Sequence, residues 1–284
     1  MGVEALVGRR FGPFPGDTSP SAVARFVAAT GDEPSRWSRH VPPTQAAAVL
    51  FAAAPALLAD PDAAGSTSAI VHSEQALRWE RPLEVGEPLA VEGEVAAVRA
   101  RGLLHLVTFE VRAAGAAGPW LEGRSTFLLS SEPAAAAAEE PEPDHDERGR
   151  LDPPELLDLP AAGEVVDPLH VSASRADLVR YAAASGDLNP IHWDHDAARM
   201  AGLPGVVVHG LLMASWIGRA AARHAPGPEP LRSLRARFRR PLRPGVPAVI
   251  TGAVERRDGD GADLALTLEA DGTTLVTASV RVTR

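Results

Sequence analysis

Hydrophobic and polar positions follow the same order of elements twice along the chain. In the first half, an amphipathic segment between Ser19 and Gly31 predicts a helix, with Ser19 as its cap and proline at its first position. A longer apolar helix is expected over 43–58, where Pro55 should introduce a kink or break. Alternating segments separated by turns then predict four strands, at 70–79, 89–99, 103–111 and 120–129.

The second half repeats this order. Ser174 and Asp177 form a capping-box pattern before a helix that should end at Gly186. A second long apolar helix is expected over 209–223. Four more strands are predicted at 231–240, 248–255, 264–269 and 275–282, with Asp-Gly pairs marking hairpins between the later ones.

Two short matches support an internal repeat. Residues 19–32 and 174–187 both read as a capped helix that closes on Gly-Asp, at an offset of 155, and residues 78–83 match 237–242 at an offset of 159. Two copies of helix, long helix and strand meander predict two α+β units. We therefore expect one unit over 1–130, an acidic linker rich in alanine and proline over 131–160, and a second unit over 161–284.

Composition narrows the classes of function. The net charge of −9 argues against a general nucleic-acid surface. Cysteine is absent, which excludes disulfides and thiolate chemistry, and all 28 basic residues are arginine, which excludes a lysine Schiff base. No apolar run reaches the length of a membrane helix, and the N-terminus does not resemble a secretory signal. We expect a soluble cytoplasmic protein with neither nucleic-acid nor membrane partners.

The segment with most chemical content follows the Ser174-capped helix. In Asp187-Leu-Asn-Pro-Ile-His192, a carboxylate and an imidazole stand five residues apart on a loop made rigid by Pro190. Such a pair can share proton transfer with one substrate atom or water. The first copy of the repeat continues Glu-Pro-Ser-Arg at residues 33–36 and lacks this motif.

This segment closely resembles the signature of the MaoC-like (R)-specific hydratases and dehydratases. Asp187, Asn189, Pro190, His192 and the later His209-Gly210 all fall on that family's motif, and the resemblance covers about residues 165–284. The first half resembles, more loosely, the non-catalytic partner subunit of the actinobacterial (3R)-hydroxyacyl-acyl carrier protein dehydratases. The resemblance implies an α+β double hot dog, in which each sheet wraps a long helix.

The resemblance also implies a reaction and its residues. The reaction is reversible syn removal of water from a (3R)-hydroxyacyl thioester, without a cofactor, with His192 taking the α-proton and Asp187 helping to protonate the departing hydroxyl. The sequence leaves open how the two residues divide the proton transfer, since they would act as a unit. The Gly210 amide at the start of the long helix is the expected oxyanion donor, although a glycine kept only for close packing is an equal alternative. Asn189 and His209 are expected to support the site.

Other candidates are weaker. Asp194, His195 and Asp196 with His192 could suggest a metal, but they would need another convergent ligand, and we expect none to be bound. Some family members carry a site serine on the long helix where this chain has Gly218, which leaves that hydroxyl contact in doubt. Phe51 and Trp79 could line an acyl tunnel supplied by the first unit, or belong to its ordinary core.

One face of a predicted strand is basic. Arg235, Arg237 and Arg239 alternate with apolar residues. They could bind the phosphate of coenzyme A or an acidic carrier protein, or form a solvated face. Partners would be an acyl-CoA or acyl carrier protein thioester and, as one option, a second copy in a homodimer.

Two alternative functions stay open at this stage. One is a thioesterase on the same fold, and the other is an acyl-thioester binding module without activity. The intact pair of Asp187 and His192 argues against both.

Overall fold

Ten strands form one antiparallel sheet in the described part of this protein. The computed structural model describes residues 2–64, 69–102, 104–130 and 149–283, and within them the strand order is β1-β3-β4-β5-β2-β7-β10-β9-β8-β6. Most of the predicted linker and Leu103, the first residue of one predicted strand, lie outside the described residues. The first five strands in the chain thus fill one half of the sheet, and the last five fill the other.

The first half contains three α-helices and five strands. Its elements in chain order are β1 (Arg10–Gly16), α1 (Pro20–Thr30), α2 (Ala46–Leu58), α3 (Pro61–Ala64), β2 (Ala69–Trp79), β3 (Leu89–Arg101), β4 (Leu104–Gly115) and β5 (Gly118–Ser130). Short 3₁₀ turns lie at Val3–Leu6 and Pro43–Gln45.

The second half has the same composition of elements. They are β6 (Leu169–Val171), α4 (Arg175–Ser185), α5 (His195–Met200), α6 (Gly210–Ala222), β7 (Leu231–Phe238), β8 (Ala248–Asp258), β9 (Gly261–Ala270) and β10 (Thr273–Thr283), with a 3₁₀ turn at Pro190–His192. No helix in the described ranges is long and apolar enough to cross a membrane.

Two strands were missing from the sequence prediction. No strand was predicted for the segments that hold β1 and β6, and the β1 segment contains Gly12, Pro13 and Pro15. Both strands lie at the edges of the sheet. An edge strand needs partners on one side only, so proline is tolerated there.

The long helix of the first half begins later than predicted and ends at the predicted residue. Pro43–Gln45 form a 3₁₀ turn before α2, and α2 continues through Pro55 to Leu58. The helix therefore does not break at Pro55, and its predicted end at residue 58 is confirmed. Pro55 lies in the last turn, so the rest of the helix keeps its hydrogen bonds.

The two halves meet where β2 pairs with β7, and we call this strand pair the seam. Leu77 lies opposite Leu234 on the buried face. On the outer face, the carboxylate of Glu74 accepts from Arg235 Nε at 2.8 Å and from Arg237 Nε at 2.9 Å. The seam is thus held by backbone pairing, apolar contact and an ion-pair cluster.

Both long helices pack against the inner face of the sheet. α2 contacts strands of the first half and α6 contacts β7, β9 and β10. Every residue of α6 from Leu211 to Ala222 is buried. Helix α1 of the first half packs on α4 of the second, so the halves also meet through their short helices.

The part of the predicted linker that the structure describes, residues 149–160, contains no helix or regular strand. It runs along the end of α6, where Arg219 donates to the carbonyl of Asp152 and His224 Nδ1 donates to that of Asp158 at 2.8 Å. These contacts fasten the segment to the second half. The predicted unit boundaries themselves stay predictions.

Candidate active site

Helix α4 and its caps place Asp187. The Ser174 side chain accepts from the Asp177 amide while the Asp177 carboxylate accepts from the Ser174 amide, which confirms the capping box. Gly186 then ends the helix in the left-handed conformation, with φ of 80°. The Asp187 amide donates to the Ser185 hydroxyl at 3.2 Å, so the chain turns sharply into the loop.

A single 3₁₀ turn places His192. The Asn189 side chain accepts from the Ile191 amide at 3.4 Å and caps the turn, which begins with Pro190. His192 Nδ1 lies 2.8 Å from the carbonyl oxygen of Val207. Because a carbonyl can only accept, the ring proton is on Nδ1, and Nε2 carries the free lone pair.

The two predicted partners come together in the structure. His192 Nε2 and Asp187 Oδ2 are 3.9 Å apart, and the side chains are 8% and 9% exposed. This distance is too long for a direct hydrogen bond, so one reacting atom of a substrate can lie between the two groups. The other carboxylate oxygen, Asp187 Oδ1, accepts from the Asn189 amide at 3.3 Å.

Burial shifts the pKa values of the pair in opposite directions. Loss of hydration raises the pKa of Asp187 to about 7, against a smaller lowering by the Asn189 amide. The same loss of hydration lowers the pKa of His192 to about 4. Between these values, Asp187 carries a proton and His192 is neutral. The pair therefore offers an acid and a base side by side.

Gly210 is the first residue of α6. No side chain caps this helix, and its N-cap residue, His209, has extended backbone angles. The amide N–H of Gly210 thus has no acceptor within the helix and points out of its positive end. A Cβ on Gly210 would lie 3.5 Å from the ring of Phe238, which is ordinary contact, so close packing alone does not require glycine here.

His209 lies directly behind the pair. It is fully buried, its Nε2 is 3.3 Å from the carbonyl oxygen of Asp187, and its ring stacks on that of His192 with centroids 3.8 Å apart. The structure therefore brings Asp187, Asn189, His192 and His209 together, and Gly210 follows His209 directly in the chain.

Asp187, His192 and His209 also form a set that could hold a metal ion by distance alone, since one ligand atom from each lies within 4.8 Å of the others. An ion there would take the lone pair of His192 and the carboxylate, which are the groups available for proton transfer. That no metal is bound stays a prediction. Asp194, which the sequence also offered, instead caps α5 through Ala197.

The three predicted basic residues lie elsewhere. Arg235 and Arg237 are on the sheet face opposite α6 and share Glu74, so much of their charge is balanced. Among the described residues, Arg239 has no carboxylate within ion-pair distance. Their role in binding phosphate or a carrier stays a prediction.

The first half reaches the site at one of the two predicted positions. Phe51 on α2 is half-buried, and its Cβ would be 3.5 Å from a Cβ on Gly186, next to Asp187. Trp79 is instead 2% exposed and donates to the carbonyl of Pro43 at 3.2 Å, as a core residue does. The space beside Gly218 is filled by Thr44, which a Cβ there would meet at 2.8 Å.

Sequence reasoning missed three groups that shape the site. The Val207 carbonyl orients His192, the Ser185 hydroxyl holds the Asp187 amide, and the Tyr181 ring packs against His209. Tyr181 carried no functional prediction. The three consecutive valines before His209 could have indicated the Val207 contact. Such an apolar loop is expected to be buried, and the carbonyls of a buried loop must accept from specific donors.

Comparison with known proteins supports the motif. The family model of the MaoC like domain matches residues 159–271, and that of the FAS1-like dehydratase domain region matches residues 5–119. The 3-hydroxyacyl-thioester dehydratase X of Mycobacterium tuberculosis is 31% identical over 265 residues, which are 92% of this chain and 85% of that protein.

Solved structures share the fold. One described as a MaoC-like dehydratase aligns with a TM-score of 0.80 at 19% identity and covers 99% of both chains. A Mycobacterium tuberculosis protein described as having a double hotdog fold aligns with a TM-score of 0.68 at 14% identity, over 98% of this chain and 96% of that chain. The predicted α+β double hot dog is confirmed.

Proposed function

The chain belongs to the family of MaoC-like 3-hydroxyacyl-thioester dehydratases, and on this premise we propose that it is a hydro-lyase acting on (3R)-hydroxyacyl thioesters. It removes water to give the trans-2-enoyl thioester and catalyses the reverse hydration, in fatty-acid or related acyl-chain metabolism. The observation that carries the proposal is the buried pair of Asp187 and His192, 3.9 Å apart and with opposite pKa shifts.

In the direction of dehydration, neutral His192 accepts the α-proton at Nε2. Its Nδ1–H bond to the Val207 carbonyl fixes the tautomer and stabilises the imidazolium that forms. Protonated Asp187 gives its proton to the departing hydroxyl, which leaves as water. Both groups lie on one side of the substrate, so the α-proton and the hydroxyl leave from the same face. Hydration follows the same steps in reverse.

Removal of the α-proton places negative charge on the thioester oxygen. The free Gly210 amide at the positive end of α6 is the proposed donor to this oxygen. A backbone donor at a helix start needs no reorganisation as the charge develops. Such a donor contributes about a hundredfold to a thousandfold in rate.

The first half is proposed to be non-catalytic and to form the acyl tunnel. Its counterpart of the Asp187–His192 segment lacks the motif, and Phe51 approaches the second half at Gly186. We place Phe51 in the tunnel wall. Exchange of Phe51 for a smaller residue should therefore change the preference for acyl-chain length more than the rate on short chains.

The carrier is proposed to be coenzyme A or an acyl carrier protein. Arg239, which carries no ion pair among the described residues, is the strongest of the three arginine candidates for its phosphate. Arg239→Ala should raise KM for the carrier-linked substrate and leave kcat unchanged. A cytoplasmic location, a homodimer and the absence of a cofactor stay predictions.

The test of function uses stereochemically pure substrates. We expect dehydration of (3R)-hydroxybutyryl-CoA, followed as enoyl-thioester absorbance, and no reaction of the (3S) isomer. Release of free thiol, measured in the same samples, distinguishes a thioesterase from a dehydratase. Thiol release without enoyl product, or turnover of the (3S) isomer alone, would contradict the proposal.

A further inference from the structure

A column of buried rings ends at His192. The ring of Phe26 on α1 lies 6.0 Å from that of Tyr181 on α4, and Tyr181 meets His209 edge-on at 4.9 Å. His209 in turn stacks on His192 at 3.8 Å, with 24° between the ring planes. The column therefore starts in the first half of the chain and supports the imidazole in the second half from behind.

His209 touches both members of the pair through different contacts. Its Nε2 is 3.3 Å from the Asp187 carbonyl oxygen, and because that oxygen can only accept, the His209 proton is on Nε2. Its face covers the face of His192. One side chain thus fixes the backbone that carries the carboxylate and the plane of the imidazole.

The remaining nitrogen of His209 has no structural use. Nδ1 is buried and has no hydrogen-bond partner in the described part of the chain. A phenylalanine of nearly the same shape would avoid that unpaired atom, whose burial is costly. The presence of histidine therefore requires a gain at Nε2, where the Asp187 carbonyl is the contact.

We propose that His209 is a positioning residue, which holds Asp187 and His192 at the separation that proton transfer requires. This inference rests on the proposed function. A small displacement of reacting groups, of about 1 Å, can cost about a hundredfold in rate. Because His209 is fully buried behind the pair, its loss should lower kcat and leave KM nearly unchanged.

Three substitutions separate the two contacts. His209→Phe keeps a ring for the stack and loses the donor, whereas His209→Gln keeps an N–H donor and loses the ring. Each should lower kcat about tenfold, and His209→Ala, which loses both contacts, about a hundredfold. KM should stay within about twofold in all three. Phe and Gln preserve most of the side-chain volume, so at least these two variants should fold.

His224 supplies the matched control. It is also buried, at 3% exposure, follows the other end of α6 and donates to a backbone carbonyl. His224→Phe should lower the melting temperature about as much as His209→Phe but leave kcat unchanged. A purely structural role for His209 would give the same result at both positions.

The pH dependence of kcat gives a second readout. His209 is faced by His192 on one side and Tyr181 on the other, and by the Asp187 carbonyl at its edge. A shift in the separation of the pair should therefore move at least one limb of the profile in the His209 variants and neither in His224→Phe.

Each outcome decides a separate question. The role of His209 would be overturned if kcat were unchanged in His209→Phe and His209→Gln. It would also be overturned if His224→Phe lost as much kcat and the pH limbs of the His209 variants did not move. In both cases an active wild type would leave the proposed function standing. Wild-type protein without turnover on any 3-hydroxyacyl or enoyl thioester would refute the proposed function itself.

Discussion

Asp187 and His192 together hold one proton between pH values of about 4 and about 7, and this state serves both directions of the reaction. Dehydration uses the form with the proton on Asp187, which the pKa values favour, and hydration uses the form with the proton on His192, which holds the same number of protons. We therefore expect kcat/KM to follow one bell-shaped pH profile in both directions, with its limbs at pH values of about 4 and about 7. Initial rates between pH 4 and 9 test this, and a rate that keeps rising above pH 8 would contradict it.

The raised pKa of Asp187 also predicts a stability effect. Its contribution is complete below its unfolded pKa of 3.8 and is lost as pH rises through the folded value of about 7. Asp187→Asn removes the buried charge and keeps an oxygen for the Asn189 amide. The advantage of the variant over wild type should grow between these pH values, to on the order of 4 kcal/mol above the folded pKa, while the variant loses at least about a hundredfold in kcat. Urea unfolding at pH 5 and pH 8 measures the gain, and equal stabilities at pH 8 would disprove it.

At the scale of elements, the start of α6 allows the oxyanion role to be separated from packing. Gly210→Ala adds a Cβ in ordinary contact with Phe238 and should keep kcat within a few-fold. Gly210→Pro removes the N–H at a helical position that favours proline, and the extended angles of His209, φ −56° and ψ 132°, tolerate a following proline. It should lose about a hundredfold or more in kcat. Equal activity of the two variants, at equal melting temperatures, would exclude the amide as donor.

Elements were predictable from sequence where local interactions define them. The capping box of Ser174 and the left-handed Gly186 depend on residues within one turn, and both were found. Strands β1 and β6 depend on pairing with distant segments and were missed. Spacing along the chain predicted that His209 lies near the site. It did not predict the contacts of His209 with His192 and Tyr181, because these contacts join three separate elements.

At the scale of the whole molecule, Arg36 of the first half closes the end of α6. Its guanidinium donates to the carbonyls of Ala222 and Ala225 in the second half. Hydrogen bonds to charged groups contribute about 2 kcal/mol, so Arg36→Ala should lower the free energy of unfolding by about that amount in urea. Arg25→Ala, which removes an exposed arginine of the same half, is the control. Equal stability of the two variants would show that this contact does not join the halves.

The repeat, read at the largest scale, correctly predicted two α+β units, because each half carries a complete set of elements. The continuous sheet through the seam joins strands of the two halves, and no single motif in the sequence predicts that pairing. The cluster of Glu74 with Arg235 and Arg237 could not be foreseen, since its charges are 161 and 163 residues apart in the chain.

The most direct test of the account is hydration of crotonyl-CoA, followed by loss of the enoyl-thioester absorbance, in wild type and His192→Ala. We expect turnover to (3R)-hydroxybutyryl-CoA in wild type and a loss of at least about a hundredfold in the variant, at unchanged melting behaviour. Wild-type turnover that survives in His192→Ala would contradict the assignment of the pair as the acid and base of this enzyme.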